Sequence, residues 1–335
     1  MISVASPLFL GNEKKYLQEC IDSGWISSDG YFVQKFEEEF AKWSGNDYAI
    51  TVCNGTAALE TALWARGIIS SKVLLSTASI ISCAIAVLRT KSSLVFYDYN
   101  NLVTYRHQSN TNTSFLIYHP FGHYIDFKGN CPCVEDSSQF WQPFKVNDVA
   151  CYSLYANKLI SSGEGGVIVT NNKDVYERAK SYRNLCHSKE RFIHNEIGYN
   201  FRLSNLQAAV ALAQLEQIDK FTEIKQRNRD LYIKYMPESV NVLFNVSVPW
   251  MYLISTSKDA GEMTQKLKER GIDTRRFFYP LHLQPCFKGK YEHLDLPASV
   301  EAWKHSFYLP SGLILTEKEI EYICKSLQEV LKLIN

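Results

Sequence analysis

The sequence lacks a surplus of either charge: 36 Lys and Arg stand against 35 Asp and Glu, a formal net charge of +1. Without a basic excess there is no electrostatic footprint for a polyanion, so nucleic acid is not expected as a partner. Long apolar runs are missing as well. Stretches such as Cys83 to Leu88 fall far short of a membrane span, which argues against a membrane partner. Met1-Ile2-Ser3-Val4 has no basic segment followed by an apolar one, so no secretory signal is read there. The nine cysteines are odd in number and follow no paired spacing. That pattern excludes a disulfide framework and fits reduced, mostly buried thiols in the cytoplasm. No Gly-x-Gly-x-x-Gly follows a strand pattern, so a dinucleotide site is unsupported. Cys131-Pro132-Cys133 is too tight and solitary for a zinc site.

What is present is an ordinary globular composition over 335 residues, 46% hydrophobic and 21% charged, enough for one large α/β unit or two domains. Helices are expected over Glu13–Ser23 and Tyr31–Trp43, the second burying Phe32, Phe36, Phe40 and Trp43. From residue 48 short β-branched runs predict strands near 48–52, 73–77, 93–96, 115–118, 132–135, 149–153 and 167–170. A helix is expected from Thr56 to Arg66. Continuous apolar strands alternating with helices predict a mostly parallel sheet covered on both faces. Residues 100–113 read as a surface excursion. Further helices are expected at 176–183, 203–217, 261–270 and 317–333, with a strand over 246–256. Met236-Pro237 breaks the chain, so the domains are read as 1–235, a large α/β unit, and 236–335, a smaller α+β unit.

Four segments carry chemistry. Cys53-Asn54-Gly55-Thr56 lies between a strand and a helix, where free backbone N–H groups can cradle a phosphate or where Asn54 merely caps the helix. Glu135-Asp136 ends a strand where open α/β sheets bind ligands, and a carboxylate there can pair with a pyridinium nitrogen or cap the next turn. Lys158 is followed closely by Gly163-Glu164-Gly165-Gly166. A lysine held in such a tight loop can lose its proton and form a Schiff base; the plain alternative is a hairpin with a solvated Lys. Gly198-Tyr199-Asn200-Phe201-Arg202 suits anion binding or a surface turn.

In this order the motifs resemble the DegT/DnrJ/EryC1/StrS family of pyridoxal phosphate (PLP)-dependent sugar aminotransferases, over nearly the whole chain. The resemblance implies the aspartate-aminotransferase fold (fold type I) and a set of roles. Lys158 would carry PLP covalently and shuttle a proton, and Asp136 would pair with the pyridine nitrogen. Gln139 would lie near the phenolic oxygen, and Gly55, Thr56 and Ser153 would hold the phosphate. Asn200 would reach the phosphate of the neighbouring subunit's cofactor, so a homodimer with shared sites is implied. Ile80 takes the place of the family's ring-stacking aromatic, and the chain is trimmed between about 92 and 148.

Two outer segments, around Gly24-Trp25-Ile26-Ser27 and Arg275–His282, resemble the members that aminate C4 of a GDP-linked 4-keto-6-deoxy sugar for surface polysaccharide or O-antigen synthesis. Trp25, Ser27, Arg275 and His282 are thereby implied as nucleotide-sugar contacts, and Arg202 as the receiver of the carboxylate of L-glutamate. A UDP- or dTDP-linked acceptor, or a relative that binds without catalysing, stands beside that reading.

Overall fold

A computed structural model of the chain describes residues 1–99, 113–127, 129, 131–190 and 192–334. Helices α1 (Glu13–Ser23) and α2 (Tyr31–Ser44) each end on a glycine in the left-handed region, Gly24 and Gly45. Phe32, Phe36 and Phe40 recur every fourth residue of α2, so one face of the helix is buried.

The main layer then alternates strand and helix: β1 (Tyr48–Val52), α3 (Gly55–Ala65), β2 (Lys72–Ser76), α4 (Ile81–Arg89), β3 (Ser93–Tyr97), β4 (Thr113–Tyr118), β5 (Cys133–Asp136), β6 (Val149–Ser153) and β7 (Gly166–Thr170). Their order across the sheet is β1-β7-β6-β5-β4-β2-β3. Every pair is parallel except those of β7, which runs antiparallel to both β1 and β6. Strands β6 and β7 are buried at every residue, as strands covered on both faces must be. One core packs α3 and α4 against this sheet; the other packs α2 and a later helix against its opposite face.

The chain continues through α5 (Lys173–Arg183), α6 (Asn205–Leu215) and α7 (Ile218–Tyr235). It then builds a second, antiparallel sheet with β8 (Asn241–Val242), β9 (Tyr252–Ser255), α8 (Ala260–Glu269), β10 (Arg275–Arg276), α9 (Pro297–His305), β11 (Ser306–Leu309) and α10 (Glu317–Leu333). The second sheet is ordered β10-β11-β9-β8. Helix α7 connects the cores: Ile218 and Phe221 pack beneath the large sheet and Tyr232 within the small one. An Ile2–Ile272 bridge ties the first residues to the second layer.

Most expected elements are found within a residue or three of their expected ends. The strand expected over 246–256 is corrected to Tyr252–Ser255, because only those four residues pair with β11. The helix expected over 203–217 is Asn205–Leu215, and a second helix, α7, follows it at once where none was expected. Helices α4 and α9 are also additional. Of the expected surface excursion, Thr113 starts β4 and residues 100–112 lie outside the described residues. Among the described residues no helix is long and apolar enough to cross a membrane.

Candidate active site

Asp136 and Ser153 are the last residues of the parallel neighbours β5 and β6, and Ser153 pairs with Gly166 at the start of β7. The carboxyl edge of the sheet therefore delivers both side chains to one place, the position where open α/β sheets hold ligands. A cavity of about 620 Å³ opens there. Gly55, Thr56, Ile80, Asp136, Gln139, Ser153 and Lys158 all line it, so seven of the eight residues assigned to the cofactor converge from four separate stretches of chain.

Lys158 follows β6 on a turn closed by its N–H donating to the Tyr155 carbonyl at 2.9 Å. The cavity walls strip water from its amine, and that desolvation holds its pKa down at about 8, opposed by the nearby charge of Asp136. A lysine so placed supplies a useful fraction of neutral amine near neutral pH, as a nucleophile or proton carrier requires. Asp136 is buried, with Oδ1 accepting from the Ser138 N–H at 2.9 Å and Oδ2 from the Cys83 thiol at 3.1 Å. The Gln139 carboxamide is oriented the same way: Tyr118 Oη and the Phe121 N–H both donate to its Oε1. Its nitrogen keeps the remaining donors.

The end of the cavity at the β1–α3 turn is built by backbone. Asn54 caps α3 by accepting from the Ala57 N–H at 2.8 Å, and the first amides of any helix have no partner within the helix. A Cβ on Gly55 would lie 2.9 Å from Ser153 Cβ, and one on Gly166 would lie 2.5 Å from the Asn54 carbonyl oxygen. The cradle thus closes only with glycine at both points. Asn157, on the same wall, has a buried side-chain oxygen with no partner among the described residues. An amine of lowered pKa, a buried carboxylate and a close backbone cradle fit the aldehyde, ring nitrogen and phosphate of PLP.

Other expected contacts lie elsewhere in this single chain. Asn200 bridges Asn184 outside the cavity, and Arg202 Nη1 donates to Asn184 Oδ1 at 2.6 Å. Trp25 lines a separate recess of about 400 Å³ with Tyr31 and Asn205. The Ser27 carbonyl accepts from the Asn205 N–H at 3.0 Å. Arg275 pairs with Asp273. His282 is buried, its Nδ1 hydrogen-bonded with Thr77 Oγ1 at 2.7 Å. Neither Arg275 nor His282 lines the cavity of this single chain.

Sequence reasoning also left out wall residues. Trp250, Tyr308 and Phe278 arrive from the second layer, and Arg89 from α4 pairs with buried Glu60 at 2.6 Å. Only Phe278 carried a prior signal, through its place in the 275–282 segment.

Residues 10–107 and 144–328 match the DegT/DnrJ/EryC1/StrS aminotransferase family. The chain belongs to that family. It is a PLP-dependent sugar aminotransferase, and the unmatched interval, 108–143, falls within the region read as trimmed. The GDP-perosamine synthase of Escherichia coli O157:H7 is 34% identical, covering 98% of both chains, and that of Vibrio cholerae 30% identical with the same coverage. In fold the chain is similar to the Helicobacter pylori aminotransferase involved in pseudoaminic acid biosynthesis, with a TM-score of 0.89 at 19% identity over 99% of this chain and 100% of that one.

Proposed function

We propose that this aminotransferase moves an amino group from L-glutamate to C4 of a GDP-linked 4-keto-6-deoxyhexose, in the cytoplasm, for a surface polysaccharide such as O-antigen. The observation that carries the reading is the convergence of Lys158, Asp136 and the Gly55 cradle on one cavity; the choice of GDP rests on likeness to GDP-perosamine synthases along nearly the whole chain.

Bound PLP supplies an electron sink for breaking a C–H bond beside nitrogen. In this reading the Lys158 amine carries the proton between donor or acceptor carbon and the cofactor. Asp136, fixed by Ser138 and Cys83, keeps the ring nitrogen protonated. Gln139 donates toward the phenolic oxygen, and Thr56, Ser153 and the amides at Gly55 hold the phosphate. Ile80, on the cavity wall, would pack on the ring. The chain acts as a homodimer, in which Asn200 and Arg202 serve the neighbouring cavity. Support for the dimer comes from the adjoining loop, where Ile193 is 50% and Ile197 86% exposed, apolar surface of the kind that marks contact sites when it is contiguous. Trp25 and Ser27 are assigned to the same shared boundary. Residues 1–235 form the cofactor domain and 236–335 the smaller one.

The test supplies the PLP-loaded protein with L-glutamate and, separately, GDP-, UDP- and dTDP-linked 4-keto-6-deoxy sugars, and follows 2-oxoglutarate. Fastest release with the GDP sugar is expected. A faster UDP or dTDP sugar overturns the nucleotide assignment, and no release with any acceptor overturns the activity.

A further inference from the structure

Trp250 meets Lys158 from the far side of the cavity. The Lys158 amine stands over the indole ring, 4.6 Å from its centroid. Each polar group of Trp250 is spent on holding that ring still. Its indole N–H donates to the Asn157 carbonyl at 2.9 Å, beside Lys158 itself. Its backbone N–H donates to the Phe121 carbonyl at 3.3 Å, and its carbonyl accepts from buried Lys225 Nζ at 2.7 Å. Phe121 and Tyr308 pack against the ring at centroid distances of 5.5 and 5.8 Å. A tryptophan needs no such anchoring to fill space.

The face of an indole attracts an ammonium, more strongly where water is excluded. We propose that Trp250 is a positioning residue for Lys158: its ring receives the ammonium whenever the amine is not bonded to the cofactor, and keeps it in the cavity as the proton carrier. The inference rests on Lys158 being the amine that bonds PLP. It also assigns a purpose to the bond with Asn157, which ties ring and lysine turn together so that their spacing survives movement of the wall. The other charged or titratable groups facing Lys158 are Asp136 on β5 and Cys83 on α4. Tyr118, Glu164, Tyr308 and the Glu60–Arg89 pair stand farther round the wall, and Lys225 lies behind the ring. A change at 250 keeps the backbone carbonyl that Lys225 bonds but removes the ring contact with Tyr308, for which the fluorinated protein, with that contact kept, is the control.

Only the neutral amine can add to the aldehyde of PLP, so the rate at which PLP joins the cofactor-stripped protein follows Lys158 deprotonation with pH. Removing the ring in Trp250→Leu withdraws a stabiliser of the ammonium. The midpoint of the rate profile should fall by about 0.5–1.5 units, and the rate on the acid side should rise about three- to thirtyfold. Trp250→Phe keeps an aromatic face and should recover most of the shift. A third preparation carries fluorinated tryptophan at all six Trp positions; it weakens the ring's negative face with little change of shape, and the midpoint should step down with fluorine number. Profiles that superimpose on wild type for Trp250→Leu and for the fluorinated protein overturn the inference. Lys158→Ala separates the two layers of argument: if borohydride still fixes PLP to that variant, the assignment of Lys158 fails; if fixation is lost but the Trp250 profiles do not move, only the role of Trp250 fails.

Discussion

Gly166→Ala isolates the cradle from the rest of the site. The added methyl would sit 2.5 Å from the Asn54 carbonyl oxygen, 2.8 Å from its carbon and 3.1 Å from the Gly55 nitrogen, all backbone atoms. Gly166 cannot slide away, because it is paired with Val52 on one side and Ser153 on the other. The β1–α3 turn must give way, carrying with it the Asn54 cap and the first amides of α3. Overpacking of this kind costs about 1–3 kcal/mol of stability. Displacing one amide from a charged phosphate forfeits about 1.5–3 kcal/mol of binding, which is roughly ten- to hundredfold in PLP affinity.

Gly163→Ala is the matched control three residues earlier. Gly163 has a φ of +83° and open space where a Cβ would go, so the substitution is felt through the backbone alone, at about 1–2 kcal/mol, with PLP affinity kept. Urea unfolding of the cofactor-stripped proteins measures the first quantity, and titration with PLP the second. If Gly166→Ala binds PLP as wild type does, or if both variants lose affinity equally, the cradle is not built as argued.

Two further outcomes follow from buried groups. Cys83→Ala removes the thiol donor from Asp136 Oδ2 and should cost about 1–3 kcal/mol in urea unfolding, while Cys83→Ser, which still donates, should recover most of it. Lys225 is enclosed among carbonyls, and desolvation lowers its pKa to about 7. The unfolded chain therefore binds the extra proton between about pH 7 and the ordinary lysine value, and Lys225 makes stability rise with pH through that window. Lys225→Met should flatten the curve of stability against pH there by up to about 1.4 kcal/mol per unit relative to wild type; parallel curves refute the assignment.

The sheet was legible because its strands are continuous apolar runs, a pattern that follows directly from burial on both faces. Helix α7 was not, and the reason is specific. Its buried positions are Ile218, Phe221, Lys225, Asn228 and Tyr232, so two of the five are polar side chains that bond carbonyls of the second layer. A hydrophobic period cannot be read where a lysine and an asparagine do the packing. Helix α9 failed differently, since among its residues only Ser299 is buried and no apolar stripe exists to find. The overlong strand at 246–256 contains Pro249, which has no N–H for a ladder, and pairing begins only beyond it.

The same division runs through the site. Asp136, Lys158 and the Gly55 cradle are announced by their neighbours in sequence, because each is set by a local strand end or glycine turn. Trp250 is announced by nothing near it. Its place depends on a contact with Asn157, 93 residues away, and on a helix whose buried face is partly polar. What local pattern hides is therefore the second layer's contribution to the cavity.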